Sequence, residues 1–314
     1  MTTNEGELPT HWTDHPENPL IGPPFPEFLL GDPSVVLPTE SPDELWHMFA
    51  NTLRGIHHFT SVDGIHWRRR ARAFPGMRAF VLRQSDLYYL FYEEFSVPMF
   101  RSHVSVRTSR DLVTWGEREV VLEPELEWER RLGRTCGNPC VVGTDDGFML
   151  YYSAALVFLG DLGFCEPLNI GLARSTSIEG PYEKLAEPMI APSPGDRFRN
   201  LGAGAIKVVF DESRGLFLGF NNGIYADDRG RTRSAILLMS SADGVAWEQA
   251  VPEPIIAPGG DGWKKALVYQ LDVKRVGDEW WLWYNARSGW RFGVERIGLA
   301  TCPDRQAGRR TGPG

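Results

Sequence analysis

The chain contains no lysine or arginine run longer than Arg68-Arg69-Arg70, and its formal net charge is −8. That argues against a nucleic-acid partner, because gripping a phosphate backbone needs a concentrated basic face. Cysteine is scarce, at positions 136, 140, 165 and 302, with no framework spacing. Cys136 and Cys140 have a metal-like separation, but no second Cys or His pair completes four ligands, so structural thiols are expected. No apolar run approaches the roughly 20 residues of a membrane-spanning helix, which argues against a membrane partner. The opening Met1-Thr-Thr-Asn-Glu-Gly-Glu7 lacks the charged-then-apolar pattern of a leader. A cytoplasmic protein is therefore expected. No long 3.6-residue periodicity occurs, which removes helical architectures, and no cofactor or metal motif is visible.

What the chain has in quantity is aromatic residues (12 %, with 11 Trp), 33 Gly and 23 Pro. Such a composition suits many strands joined by tight turns. Repetition makes the case sharper. Ser61 to Trp67, Ser109 to Trp115 and Ser241 to Trp247 all read Ser-x-Asp-[Gly/Leu]-x-x-Trp, and Ser175 to Tyr182 is a variant with one extra residue. The Asp or Glu with Gly makes a hairpin turn, and the aromatic residue re-enters the core on the next strand.

Before these turns run five aromatic-rich segments, at 45–49, 87–91, 148–152, 216–220 and 280–284. Each follows a β-branched first strand, at 33–37, 79–82, 139–142, 206–209 and 271–273. Units of this length with about four strands each are propeller blades. The reading is an all-β, single-domain, five-bladed β-propeller with blades near 32–75, 76–124, 135–192, 200–258 and 263–302. Glu187 to Pro192 and Glu253 to Pro258 link successive blades with nearly the same phrase, and Glu17 to Pro23 repeats it ahead of the first blade. The segment 14–23 is therefore expected to close the last blade, leaving 303–314 as a tail.

In a propeller the first strands line the axis. Aligning them sets Asp32, Arg78, Asn138, Ala205 and Tyr269 at one level. An ionised acceptor, a fork of donors and an amide suit a ligand dense in hydroxyls. The second strands end at Asn51, Glu93, Ala154, Asn222 and Ala286, and this alignment selects Glu93 over Glu94 as the pocket carboxylate. A mostly apolar insertion at 156–167 carries Asp161 and Glu166. A carboxyl in apolar surroundings has a raised pKa, as a general acid needs, which favours Glu166 with Asp161 beside it. Arg287 and Trp290 of blade five are expected to bind and stack on the substrate.

Five blades, the Asp32-Pro33 opening and the Ser-x-Asp-Gly hairpins resemble the five-bladed glycosidase superfamily. That group includes glycoside hydrolase families 43 and 32 and the family 130 mannoside phosphorylases. The resemblance implies that Asp32 is the general base or nucleophile. It departs at blade two, where Arg78 stands in place of a second Asp. It departs again at Glu179-Gly-Pro181, which imitates the family's general-acid phrase but falls in a hairpin turn. The general acid is thus sought in Glu166 or Glu93. The expected function is cleavage of a small glycoside, with a furanoside favoured, by a carboxylate pair in the axial pocket. A non-catalytic sugar-binding propeller, or the same scaffold used for another reaction, are the alternatives.

Overall fold

The structure, a computed structural model, describes residues 7–96 and 99–304. The expected tail beyond Asp304 lies outside the described residues. Among them there is no α-helix, only a short 3-10 turn at Glu127–Glu129.

Among the described residues, twenty strands form five four-stranded sheets, each ordered outward from the axis. A two-residue strand, β1 (Thr13–Asp14), comes first. Blade one is β2 (Gly31–Val36), β3 (Trp46–Thr52), β4 (Gly55–Ser61) and β5 (Arg68–Phe74). Blade two is β6 (Met77–Gln84), β7 (Leu87–Ser96), β8 (Arg101–Ser109) and β9 (Glu119–Leu122). Blade three is β10 (Cys136–Thr144), β11 (Gly147–Leu159), β12 (Phe164–Ser175) and β13 (Glu183–Lys184). Blade four is β14 (Ile206–Asp211), β15 (Leu216–Ala226), β16 (Thr232–Ser241) and β17 (Glu248–Gln249). Blade five is β18 (Leu267–Val276), β19 (Glu279–Arg287) and β20 (Glu295–Pro303), with β1 as its outer strand.

The first strands touch in a ring: β2 meets β6, β6 meets β10, β10 meets β14, β14 meets β18, and β18 returns to β2. Closure works as the repeated phrase implies. Thr13 and Asp14 pair with Thr301 and Ala300, so no edge of blade five is left bare there. The three copies of the linking phrase place Ile21, Ile190 and Ile256 in equivalent antiparallel bridges to Ile297, Ile170 and Ile236. Trp46 of blade one also stacks on Trp281 of blade five, with ring centroids 5.6 Å apart and planes within 10°. Such a pair contributes about 0.5–1.5 kcal/mol beyond its area.

The Ser-x-Asp turns share one set of hydrogen bonds. The Asp63 carboxylate accepts from the backbone N–H groups of Ile65 and His66 at 2.9 and 2.8 Å, and Asp111 and Asp243 do the same in their turns. The turns then serve as docking points between blades. Trp283 Nε1 donates to the carbonyl of Gly64, and the Tyr151 hydroxyl donates to that of Gly244.

One expectation needs correcting. The apolar stretch 156–167 is not a loop separating two strands; it is the tip of a long hairpin. Leu156, Val157, Phe158 and Leu159 of β11 pair with Pro167, Glu166, Cys165 and Phe164 of β12. Its apolar side joins Leu159 and Leu162 to Leu267 and Tyr269 of blade five, which folds this tip over the axis.

Candidate functional site

Four of the five first strands are interrupted near their start. The pairing skips a step between Gly31 and Ser34, Met77 and Phe80, Gly137 and Cys140, and Val268 and Leu271. These are β-bulges, and bulges re-aim side chains near sites. Asp32, Arg78 and Asn138 sit in them at φ of 54°, 56° and 49°. Left-handed backbone at a non-glycine residue costs about 1–3 kcal/mol, and surrounding contacts must hold it. In blades one and two the holding groups come from the blade before. Asn285 Oδ1 accepts from the Asp32 N–H at 3.1 Å, and Asn51 Oδ1 accepts from the Arg78 N–H at 2.6 Å. The Glu93 carboxylate lies where a side chain on Gly137 would stand, 1.8 Å from an added Cβ. In blade four the left-handed residue is Gly204, and Asn222 Oδ1 accepts from the Ala205 N–H at 2.7 Å.

The bulges open onto an axial cavity of about 440 Å³, within the range of small-molecule sites. Asp32, Arg78, Asn138, Asn222, Tyr269, Arg287 and Glu166 line it. Glu295, Gln270 and Asn285 line it as well. Arg78 Nη1 donates to Glu93 Oε2 at 2.7 Å, and Gln270 Nε2 donates to Asn138 Oδ1 at 2.9 Å.

Four expected residues stand elsewhere. Glu93 and Asn51 are not on the cavity wall; they are buried behind it, one bound to Arg78 and the other bracing its bulge. The end-of-strand alignment missed this because a bulge turns the neighbouring blade's backbone toward those side chains. Asp161 accepts from the N–H and hydroxyl of Thr232 at 2.8 and 2.6 Å, tying the hairpin tip to blade four. Trp290 Nε1 donates to the Thr232 carbonyl, and the Arg233 guanidinium lies 4.6 Å from its ring centroid, so it too is a brace.

Three carboxyls share the cavity, and burial acts on all of them. It pushes Glu166 up to about 7; Asp32 adds to the rise, while Arg78, the Tyr269 hydroxyl and Arg287 oppose it. That hydroxyl is beside Glu166 without the geometry of a full hydrogen bond. Glu295 rises to about 8, mainly by burial and by the like charges of Asp32 and Glu166, against Arg287 and the Asn285 amide. Asp32 is raised by burial too, but Arg78, the Asn51 amide and Lys207 favour its ionised form. Burial opposes the charge on Arg78, yet Glu93 and Asp32 hold its pKa above the ordinary value. Burial thus raises all three carboxyls while Arg78 favours the ionised form of Asp32, and groups whose surroundings push their pKa values apart are those acid–base chemistry uses. Among the described residues, no group of three or more His, Cys, Asp or Glu is placed to hold a metal ion.

Fold and cavity together define a class: a five-bladed β-propeller with one asymmetric, carboxyl-bearing axial pocket. No family model matches the sequence, and no curated protein matches it. Solved structures match the fold. An α-L-arabinofuranosidase from Podospora anserina in complex with cellotriose is 14 % identical at a TM-score of 0.69, covering 95 % of this chain and 99 % of that one. A structure from the GH130 family of mannoside phosphorylases, described as containing hydrolases that target β-1,2 mannosidic linkages in Candida mannan, is 13 % identical at 0.69, covering 96 % and 98 %. An N-acetylgalactosamine deacetylase from F. plautii in complex with blood group B trisaccharide is 15 % identical at 0.65, covering 96 % of each chain. At these identities the likeness is one of fold.

Proposed function

We propose that this chain is a glycosidase-like enzyme acting on a small glycoside in the axial cavity. The observation that carries the reading is one pocket in which Asp32, beside Arg78, faces buried carboxyls raised to about 7 and 8. Glu166 is the proton donor. Glu295 is engaged by Asn285 Nδ2 and lies against Gly31, whereas Glu166 has the Tyr269 hydroxyl beside it and feels the charges of Arg78 and Arg287. The bond between the anomeric carbon and the leaving oxygen breaks as Glu166 protonates that oxygen. Asp32 either attacks the anomeric carbon or takes a proton from the attacking water. Water supplies the new hydroxyl, and its remaining proton restores the carboxyl pair. Arg78 favours the ionised form of Asp32, and Asn138, Asn222 and Arg287 orient sugar hydroxyls. A furanoside is the proposed substrate, in line with the superfamily resemblance and with the arabinofuranosidase among the structural neighbours.

The test is a panel of aryl furanosides and pyranosides, with and without inorganic phosphate, against wild type, Asp32→Asn and Glu166→Gln. Turnover in wild type that is lost in both variants supports the proposal. Binding without wild-type turnover replaces it with a sugar-binding propeller, and turnover that survives Asp32→Asn overturns the assignment of the site.

A further inference from the structure

The cavity changes character along its depth. Its floor is polar and closed: Asn138, Asn222, Gln270 and Asn285 are each no more than 6 % exposed. Its mouth is open and largely apolar, with the exposed Arg291 also on the rim. Phe28 and Leu53 line it while 48 % and 58 % exposed, with Leu29 beside them. Across the opening, the blade-three hairpin tip contributes Phe164.

Phe28, Leu29 and Leu53 belong to none of the hydrophobic clusters that build the blades. Core packing therefore does not account for them. They are held in place nonetheless: the Phe28 carbonyl accepts from the Glu295 N–H at 2.9 Å, and Leu53 sits at the turn between β3 and β4. Leu29 and Leu53 offer no hydrogen bonds to a second sugar, and the Phe28 and Phe164 rings carry no polar atom either. They do offer apolar area that water leaves when a hydrocarbon arrives.

We infer that the substrate carries an apolar aglycone, an alkyl or aryl group seated at this mouth, rather than a further sugar. The inference rests on the glycosidase reading, since it places the sugar on the polar floor and the leaving oxygen between floor and mouth.

The experiment measures binding of methyl, butyl and octyl α-L-arabinofuranosides and β-D-mannopyranosides to Asp32→Asn by calorimetry, with turnover by wild type alongside. A buried methylene is worth about three- to fourfold in affinity. Methyl to butyl should therefore tighten binding between about thirtyfold and sixtyfold for the sugar that fits. Leu53→Asn, alone and with Phe28→Ser, should flatten that series, read as the butyl-to-methyl affinity ratio within each protein, with thermal unfolding recorded as the check on folding. A flat series in a protein that turns glycosides over overturns the aglycone inference alone, as does a steep series that survives both substitutions. Absence of both binding and turnover for every glycoside overturns the inference together with the glycosidase reading.

Discussion

Replacing Glu166 by Gln should make the protein more stable at alkaline pH while disabling it. In the folded chain burial holds this carboxyl at about 7, against 4.5 for the free group. Between those values the folded state keeps a proton that the unfolded state releases. Stability therefore falls as pH rises through this window, and the full penalty is present above about pH 8. A difference of about 2.5, at about 1.4 kcal/mol for each tenfold, amounts to about 3 kcal/mol. Gln has nearly the shape of the protonated acid and never ionises. Urea denaturation of both proteins should give similar stabilities at pH 5 and a gap of about 3 kcal/mol in favour of Glu166→Gln at pH 8.5. At about 2–4 °C per kcal/mol, thermal unfolding should shift upward by about 6–12 °C at the same pH. A gap that does not depend on pH, or a wild type more stable at pH 8.5, would refute the burial argument.

Gly137→Ala should destabilise by about 2–3 kcal/mol, because its Cβ would stand 1.8 Å from Glu93 Oε2 and disturb the Arg78 pair. Gly143→Ala, whose nearest neighbour would be 3.9 Å away, serves as the control and should be near neutral in the same denaturation assay. Deleting residues 1–23 removes β1, the Ile21–Ile297 bridge and the hydrogen bond from the Tyr284 hydroxyl to Asp14. The cost should reach at least about 3 kcal/mol at about 0.5–1.5 kcal/mol per lost hydrogen bond, read as a lower unfolding midpoint; an unchanged midpoint would contradict closure by this segment. If Glu166 is the proton donor, kcat/KM should decline as pH rises through about 7, and the conservative variant Glu166→Asp should move that limb rather than erase it.

The wheel was legible because its signals are local. An Asp two residues after a Ser binds backbone N–H groups within its own turn, so three turns of one pattern can be read without knowing where they lie in space. The inner strands were legible for a related reason: Asp-Pro and Asn-Pro mark bulge positions, and two of the three left-handed non-glycine bulge residues precede proline. The wall of the cavity was less legible. Glu295 sits in Val294-Glu-Arg296, an ordinary strand sequence, and only closure of the ring brings it near Asp32. The signal that was there is its pairing opposite Arg287, which puts two charges at one buried strand end. Glu93 and Asn51 were drawn into the pocket by equating position along a strand with position on the wall. In the fold, second-strand ends brace the next blade's bulge, a relation between blades that no single blade's pattern contains.

The measurement that bears most directly on the account is the comparison of wild type with Asp32→Asn on the best glycoside of the panel, with calorimetric binding recorded beside turnover. Binding should stay within a few-fold of wild type and turnover should fall at least about a thousandfold, the scale on which removing an essential catalytic group acts. Equal turnover in the two proteins would contradict it.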